Sequence, residues 1–256
     1  MFSTTEITSH EETSDNVIHQ RLLFAYEEAS RLISGKILEL GCGAGRGMEL
    51  VAAACADYTG IDKNTELLKQ HTQTYPNFTF LNQNIPPFEG IEDNTFDFVI
   101  SFQVIEHIQD DALFLKEIHR VLKPSGKAII STPNIKLSLT RNPWHIREYT
   151  PKELTKLMEK HFSKVTMKGV YGSKKIMQYF EENRDSVAKI TRFDIFNLQY
   201  KLPRQLLQIP YDILNRINRK KLQNENSTLV NDVTVQDYFL KDDAENSFDL
   251  FAIVEK

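Results

Sequence analysis

Cysteine is almost absent from this chain: Cys42 and Cys55 are the only two among 256 residues. One sits in a glycine-rich stretch and the other in an alanine-rich one, which excludes a disulfide framework and suits reduced thiols in the cytoplasm, the expected location. No apolar run approaches the roughly 20 residues that span a bilayer. The opening MFSTTEITSHEETSD also lacks the basic and apolar regions of a secretory signal. Positive charge is not in excess either. A formal net charge of −4 gives no global attraction for a polyanion, so nucleic acid is not an expected partner. Internal repeats and low-complexity tracts are missing, which removes repeat architectures from consideration.

What is present describes an ordinary globular protein. Apolar residues make up 41% and charged residues 26% of a chain long enough for one large core. Residues 1–16 are too polar to order themselves and read as a flexible tail, ahead of a single domain over 17–256. From Val17 to Ile33 apolar side chains recur at helical spacing. Strand and helix signals then alternate. KILELG, DYTGID, NFTFLN, FDFVISF and KAIIST read as strands, separated by helices over 46–55, 64–75 and 110–122, the last stopped by KPSG. This order predicts an α/β fold built on a parallel sheet. Thr150 and Pro151 supply an N-cap and first-turn proline for a helix through Lys160, and SKVTMKGVYG and the terminal SFDLFAIVEK add two strands.

Residues 173–243 change character, with apolar stripes at helical spacing, the breakers Pro203 and Pro210, and the basic segment NRINRKK. They read as a helical insertion before the last strand, placed where it can cover the ligand-binding end of the sheet as a lid. In LPRQLLQIPYDILNRINRKK, Leu206, Leu207, Ile209, Ile213, Leu214 and Ile217 alternate with Arg and Lys, a composition that also suits a membrane surface. Helical insertions with an apolar stripe usually pack on their own domain, so the lid is the expected role and membrane contact is not.

The motif with most chemical content is ILELGCGAGRG, residues 37–47. A buried strand ends there in Gly41, Gly43 and Gly45, which permit a tight turn and close backbone approach to a ligand. A dinucleotide fingerprint needs its third glycine at position 46, where Arg46 stands, and this argues against a pyrophosphate on the helix N-terminus. The run E-x-G-x-G-x-G after an apolar strand resembles the first motif of the class I S-adenosylmethionine-dependent methyltransferases, and the resemblance extends with interruptions from about 17 to 170. It implies a Rossmann-like, doubly wound, mostly parallel seven-stranded sheet with an antiparallel C-terminal strand. It also implies S-adenosyl-L-methionine as cofactor and S-adenosyl-L-homocysteine as product. Glu39 matches the acidic position before the glycines. Asp62, at the end of the second strand, matches the ribose-binding acid; its two oxygens can accept both ribose hydroxyls, while a helix N-cap is the alternative use of such a residue. Asn84 matches the adenine-binding position, with Ile85 against the ring and Gln83 as a competitor for the role.

FDFVISFQVIEHIQD, residues 96–110, resembles the ubiquinone-biosynthesis O-methyltransferase group and places Phe102 and Gln103 beside the transferring methyl. If Gln103 begins a helical turn, Gln103, Glu106 and His107 share one face. With AIISTPN and RNPWHIREYTPKEL the likeness extends to small-RNA 3′-end 2′-O-methyltransferases. Those enzymes hold a divalent metal with two glutamates and a histidine in the segment matching 103–107 and a further histidine where His145 lies. Gln103 replaces the first glutamate and removes a charge that a hard cation requires, so no metal is expected.

His145 is the first candidate for a general base and His107 the second, because an imidazole takes a proton at neutral pH. Trp144 and Tyr149 are expected to wall the acceptor pocket. These readings converge on methyl transfer by in-line displacement to a small-molecule acceptor, through a hydroxyl that needs a base. The alternatives are a metal-assisted RNA 2′-O-methyltransferase and a cofactor-binding module without catalysis.

Overall fold

The structure, a computed structural model, describes residues 12–256. The elements, in chain order, are α1 (Asn16–Ser30), β1 (Lys36–Leu40), α2 (Met48–Ala54), β2 (Asp57–Asp62), α3 (Thr65–Thr74), β3 (Thr79–Asn82), β4 (Phe96–Phe102), α4 (Asp111–Val121) and β5 (Leu122–Pro133). There follow α5 (Pro151–Met158), β6 (Lys164–Gly172), α6 (Lys174–Thr191), α7 (Leu198–Lys201), α8 (Arg204–Glu225), α9 (Ser227–Asn231), β7 (Tyr238–Lys241) and β8 (Asp249–Glu255).

The strands form one sheet in the order β3-β2-β1-β4-β5-β8-β6-β7. Pairing is parallel from β3 through β5, and β8 runs antiparallel between β5 and β6. Alternation along the strands loads both faces. Leu38, Leu40, Val99, Ala128, Ile130, Leu250 and Ala252 pack against α4 and α5 on one face. Ile37, Ile100, Ile129 and Phe251 pack against α1, α2 and α6 on the other. Helices on both faces make the sheet doubly wound, as the strand and helix alternation predicts.

Three differences from the sequence expectations have local causes. The sheet has eight strands, not seven: β7 pairs antiparallel with β6 inside the supposed helical insertion. YFLK is only four residues long and stands among turn formers, too short for its alternation to be read. KPSG does not end an element. β5 already pairs at Leu122 with Phe96, and the ladder resumes after a register shift at Lys127 opposite Phe98, with Ser125 at φ 65° absorbing the irregularity. Of the two expected breakers, Pro203 caps α8, but Pro210 lies inside it.

The tail expected over 1–16 falls for residues 1–11 outside the described residues. Thr13–Asp15 form a 3-10 helix, and Asp15 is fully buried, ion-paired with Arg216 and Arg219 of α8 at 3.2 and 3.0 Å. Asn16 Nδ2 donates to the carbonyls of Val230 and Val233, and Tyr238 Oη donates to that of Val17. The beginning of the described chain and the segment 204–238 are thus clamped to one another.

Candidate active site

Two loops meet beyond the carboxyl ends of β1 and β2. In the first, Gly41, Gly43 and Gly45 hold φ of 75°, 49° and 72°, a region that a Cβ penalises. A Cβ at Gly47 would lie 2.0 Å from the Tyr26 ring, whereas one at Gly43 would meet nothing nearer than the Gly41 carbonyl at 3.8 Å. The loop is therefore packed at Gly47 and open at Gly43. Arg46 does not face a ligand here: its guanidinium is largely buried and meets His19 Nδ1 of α1.

The second loop carries Asp62. Its Oδ2 accepts the Gly43 N–H and its Oδ1 accepts the Asn64 N–H, both at 2.8 Å. The cap of α3 is Asn64, which accepts from Glu66 and Leu67, so Asp62 is not spent on the helix. Each of its oxygens retains a further lone pair. Below the loop Glu39 is only 2% exposed; Tyr26 Oη donates to Oε1 at 2.7 Å and Tyr58 Oη to Oε2 at 2.6 Å. Burial pushes its carboxyl up and the two hydroxyl bonds pull it back. Glu39 thus ties α1 and β2 together beneath the glycine turn. After β3, Gln83 spends both ends of its amide on the backbone of Glu89. Asn84 keeps an exposed side chain, and Ile85 packs partly on the core.

At the end of β4 Phe102 stands edge-on to Tyr26 with ring centroids 4.7 Å apart. Gln103 has φ 57°, and its Nε2 is buried without a hydrogen-bond partner. A left-handed glutamine at a sheet edge costs on the order of 1 kcal/mol, so it does not start the helical turn that the i, i+3, i+4 spacing suggested. The turn is a 3-10 helix over Ile105–His107. It still brings chemistry together: one donor atom each from Glu106, His107 and His145 lie within 4.8 Å of one another.

Each of these groups is held differently. Glu106 is fully buried; Oε2 accepts Thr132 Oγ1 at 2.8 Å, Oε1 has no partner, and its backbone carbonyl accepts the N–H groups of Ile146 and Arg147. That last pair fixes the loop carrying His145 against the turn carrying His107. His107 Nδ1 donates to the Trp144 carbonyl at 3.0 Å, which leaves Nε2 as the basic nitrogen. His145 Nδ1 lies 2.6 Å from Glu148 Oε1, and its Nε2 lies 2.8 Å from Asn142 Nδ2. Burial draws the His145 imidazole down, but the hydrogen bond and charge of Glu148, with the charge of Glu106, outweigh it and raise its pKa. Burial raises Glu148, and its bonds from His145 and Ser138 pull it below the usual carboxylate value. The two rings meet edge-on with centroids 5.0 Å apart. As metal ligands the set offers the unpartnered Glu106 oxygen and His107 Nε2, but His145 would have to release Asn142 or Glu148.

These groups open onto a cavity of about 280 Å³ between the carboxyl edge of the sheet, α1, and the helices α6 and α8. Gln103, His107, Trp144 and His145 line the sheet side; Tyr179, Asn183, Tyr211, Asn215 and Arg219 line the helical side. Trp144 lines the cavity and ties it to α8 through its indole N–H, which donates to Asp212 at 3.0 Å. Tyr149 does not. It is 3% exposed and sits in the core on the other face, its hydroxyl donating to Asp111. Three site residues carry no local signal: Asn142, and the pair Arg21 and Asp249, 3.1 Å apart across most of the chain. Only the folded sheet, which puts the start of β8 beside Gln103 and α1, could reveal that pair.

Residues 38–130 match the family model described as a methyltransferase domain. The chain is 37% identical over 148 residues to a probable S-adenosylmethionine-dependent methyltransferase of Mycolicibacterium smegmatis, covering 56% of this chain and 55% of that protein. It is 27% identical over 118 residues to the ubiquinone biosynthesis O-methyltransferase of Vibrio cholerae, covering 44% and 48%. The match thus spans about half the length of these curated relatives. The fold is that of a methyltransferase from Archaeoglobus fulgidus (TM-score 0.55, 15% identity, 92% and 94% covered). It is equally that of one from Thermotoga maritima described as a possible histamine N-methyltransferase (TM-score 0.55, 14% identity, 93% and 91% covered). The matched segment carries the glycine turn and Asp62, and over it the chain is similar to S-adenosylmethionine-dependent methyltransferases.

Proposed function

We propose that this chain transfers a methyl group from S-adenosylmethionine to the hydroxyl of a small-molecule acceptor held in the cavity between the sheet edge and the insertion. The observation that carries the reading is the convergence on that cavity of Gln103, at the end of β4, and two ordered imidazoles, one with a bare Nε2. The cofactor fits the residues present: the turn is open where Gly43 would otherwise carry a Cβ, and Asp62 is oriented by two backbone N–H groups with lone pairs to spare. Gly41, Gly43 and Gly45 would hold its amino-acid end, Asp62 the ribose, Asn84 and Ile85 the adenine, and Phe102 and Gln103 the region near the methyl. Glu39 holds the turn from beneath. When bound, the cofactor supplies an electrophilic methyl whose departure leaves a neutral thioether.

The chain's own work is then positioning and proton removal. Holding the acceptor oxygen in a near-attack arrangement supplies several kcal/mol. His107 Nε2 takes the hydroxyl proton, because Nδ1 is pinned as a donor to Trp144. His145, bonded at both nitrogens, steers its neighbour's ring and takes the base role only if Asn142 swings away. The insertion, whose α6 and α8 wall the cavity, acts as the lid.

A second reading rests on the Glu106, His107 and His145 cluster: a divalent cation held there would activate the hydroxyl in place of a free base. Turnover with a panel of phenolic and aliphatic alcohols, followed as S-adenosylhomocysteine release with and without a chelator, tests both. Activity that survives chelation supports the imidazole base; activity that is lost and returns with metal supports the cation. No release with any alcohol, despite cofactor binding, overturns the hydroxyl reading.

A further inference from the structure

Helix α8 is inside out. Its inward face is polar: Tyr211, Asn215 and Arg219 line the cavity, Asn218 donates to Asn183 at 2.7 Å, and Arg216 and Arg219 meet the buried Asp15. Its outward face carries Leu206, Ile209, Ile213, Leu214 and Ile217, between 45% and 72% exposed. An insertion that merely packed on its own domain would present the opposite pattern. The apolar surface continues into the turn before the helix, where Phe193, Ile195 and Phe196 are 74%, 76% and 65% exposed and Tyr200 is 62% exposed.

Charge selects the occupant of this face. Between 189 and 221 eight basic side chains stand against Asp194 and Asp212; Arg216 and Arg219 turn inward to Asp15, which leaves six for the outer face and a local charge of +4 in a chain whose formal total is −4. Lys189, Arg192, Lys201, Lys220 and Lys221 are exposed around the apolar stripe, and the Arg192 guanidinium lies 4.8 Å over the Phe193 ring. A second copy docked isologously would bring two +4 patches together. An anionic bilayer instead accepts the aliphatic and aromatic side chains among its acyl chains and the cations among its headgroups. Among the described residues no helix is long and apolar enough to cross a membrane, so the contact is with one leaflet.

We propose that the outer face of 193–217, with its rim of lysines and arginines, is a docking surface for an anionic phospholipid membrane. The inference is independent of the identity of the methyl acceptor. The test is sedimentation of the full chain with phosphatidylcholine vesicles, with and without phosphatidylglycerol, beside light scattering of the protein alone. The expected result is a monomer that pellets with the anionic vesicles, at least tenfold more weakly with neutral ones, and is released by salt. K220Q/K221Q should weaken the partition roughly thirtyfold, at about one headgroup attraction per cation. F196S/I209S/I217S should abolish it with an unchanged thermal melt, since the three side chains touch water in the free protein. Absence of binding to anionic vesicles at low salt, equal binding by the variants, or a dimer that the serine variant dissociates would each overturn the proposal.

Discussion

The two ends of the sheet solve the same problem, an open site at the carboxyl edge, by opposite means. On the β1–β3 side the ligand-facing groups are set by bonds between near neighbours: Asp62 to Gly43 and Asn64, and Asn64 to its own helix. On the β5–β8 side they are set by long-range contacts, Arg21 with Asp249 and Asp15 with Arg216 and Arg219 across most of the chain, and Trp144 with Asp212 across 68 residues. The first arrangement is a backbone device and tolerates few substitutions. The second is a side-chain network, and it lies where the proposed acceptor would be held.

If the two ends are separable, substitutions should divide cleanly between them. His107→Ala is expected to lower turnover by roughly 10²–10⁴-fold, the range for loss of a general base, with affinity for S-adenosylhomocysteine within about twofold by calorimetry. Equal loss of affinity would mean that the two ends are one site. Asp62→Ala is expected to do the reverse. It removes the two hydrogen bonds offered to the ribose and should weaken cofactor affinity by roughly 100-fold, and because the same carboxylate accepts the Gly43 and Asn64 N–H groups it should lower the melting temperature of the free protein as well. Gly43→Ala should resemble it, whereas Gly47→Ala should unfold the turn, because its Cβ overlaps the Tyr26 ring.

The contrast also explains which half could be read in advance. The glycine turn, Glu39, Asp62 and the alternation of strands and helices are local patterns, whereas the order of the strands in the sheet is set by long-range pairing. Phe102 and Gln103 follow from position alone, and β4 ends at Phe102, but the left-handed Gln103 is not legible because nothing in its neighbours demands positive φ. His107 and His145 could be nominated, yet the order between them depends on Trp144 and Asn142 accepting or blocking particular nitrogens, which is a property of the folded loop. The inversion of α8 was hidden for a related reason. The apolar stripe is plain in the sequence, but periodicity does not say which side of a helix faces inward, and the polar side faces a polar cavity.

A smaller effect probes the long-range network through Glu148. Raised His145 contributes stability that is present below its unfolded pKa and lost as pH rises through the folded one. Lowered Glu148 contributes stability present above its unfolded pKa and lost as pH falls. The pair therefore stabilises most between about pH 4.3 and 6.5. Glu148→Gln should cost about 3 kcal/mol in that window, the value for breaking a buried pair, and less on either side, as measured by urea unfolding at a series of pH values. A cost that is flat with pH would mean that the hydrogen bond, not the charge, is what matters.

The least effect, and the one that distinguishes network from backbone most directly, lies at Asp249. Burial pushes its carboxyl up to about 6; the Arg21 guanidinium pulls it down and the charge of Glu106 adds to the rise. Its Oδ1 has no hydrogen-bond partner. Between an unfolded value of about 4 and this folded value the native chain holds a proton that the unfolded chain releases. Stability must therefore fall as pH rises through that interval, the opposite sign to an acid held by a preorganised turn. Asp249→Asn removes the dependence. The stability of the parent minus that of the variant should decline by on the order of 2 kcal/mol between about pH 4 and 6.5 and then stay level, all other titrations cancelling in the difference. A difference that rises with pH would show that Arg21 dominates the pair and that the acceptor end of the sheet is as firmly preorganised as the cofactor end.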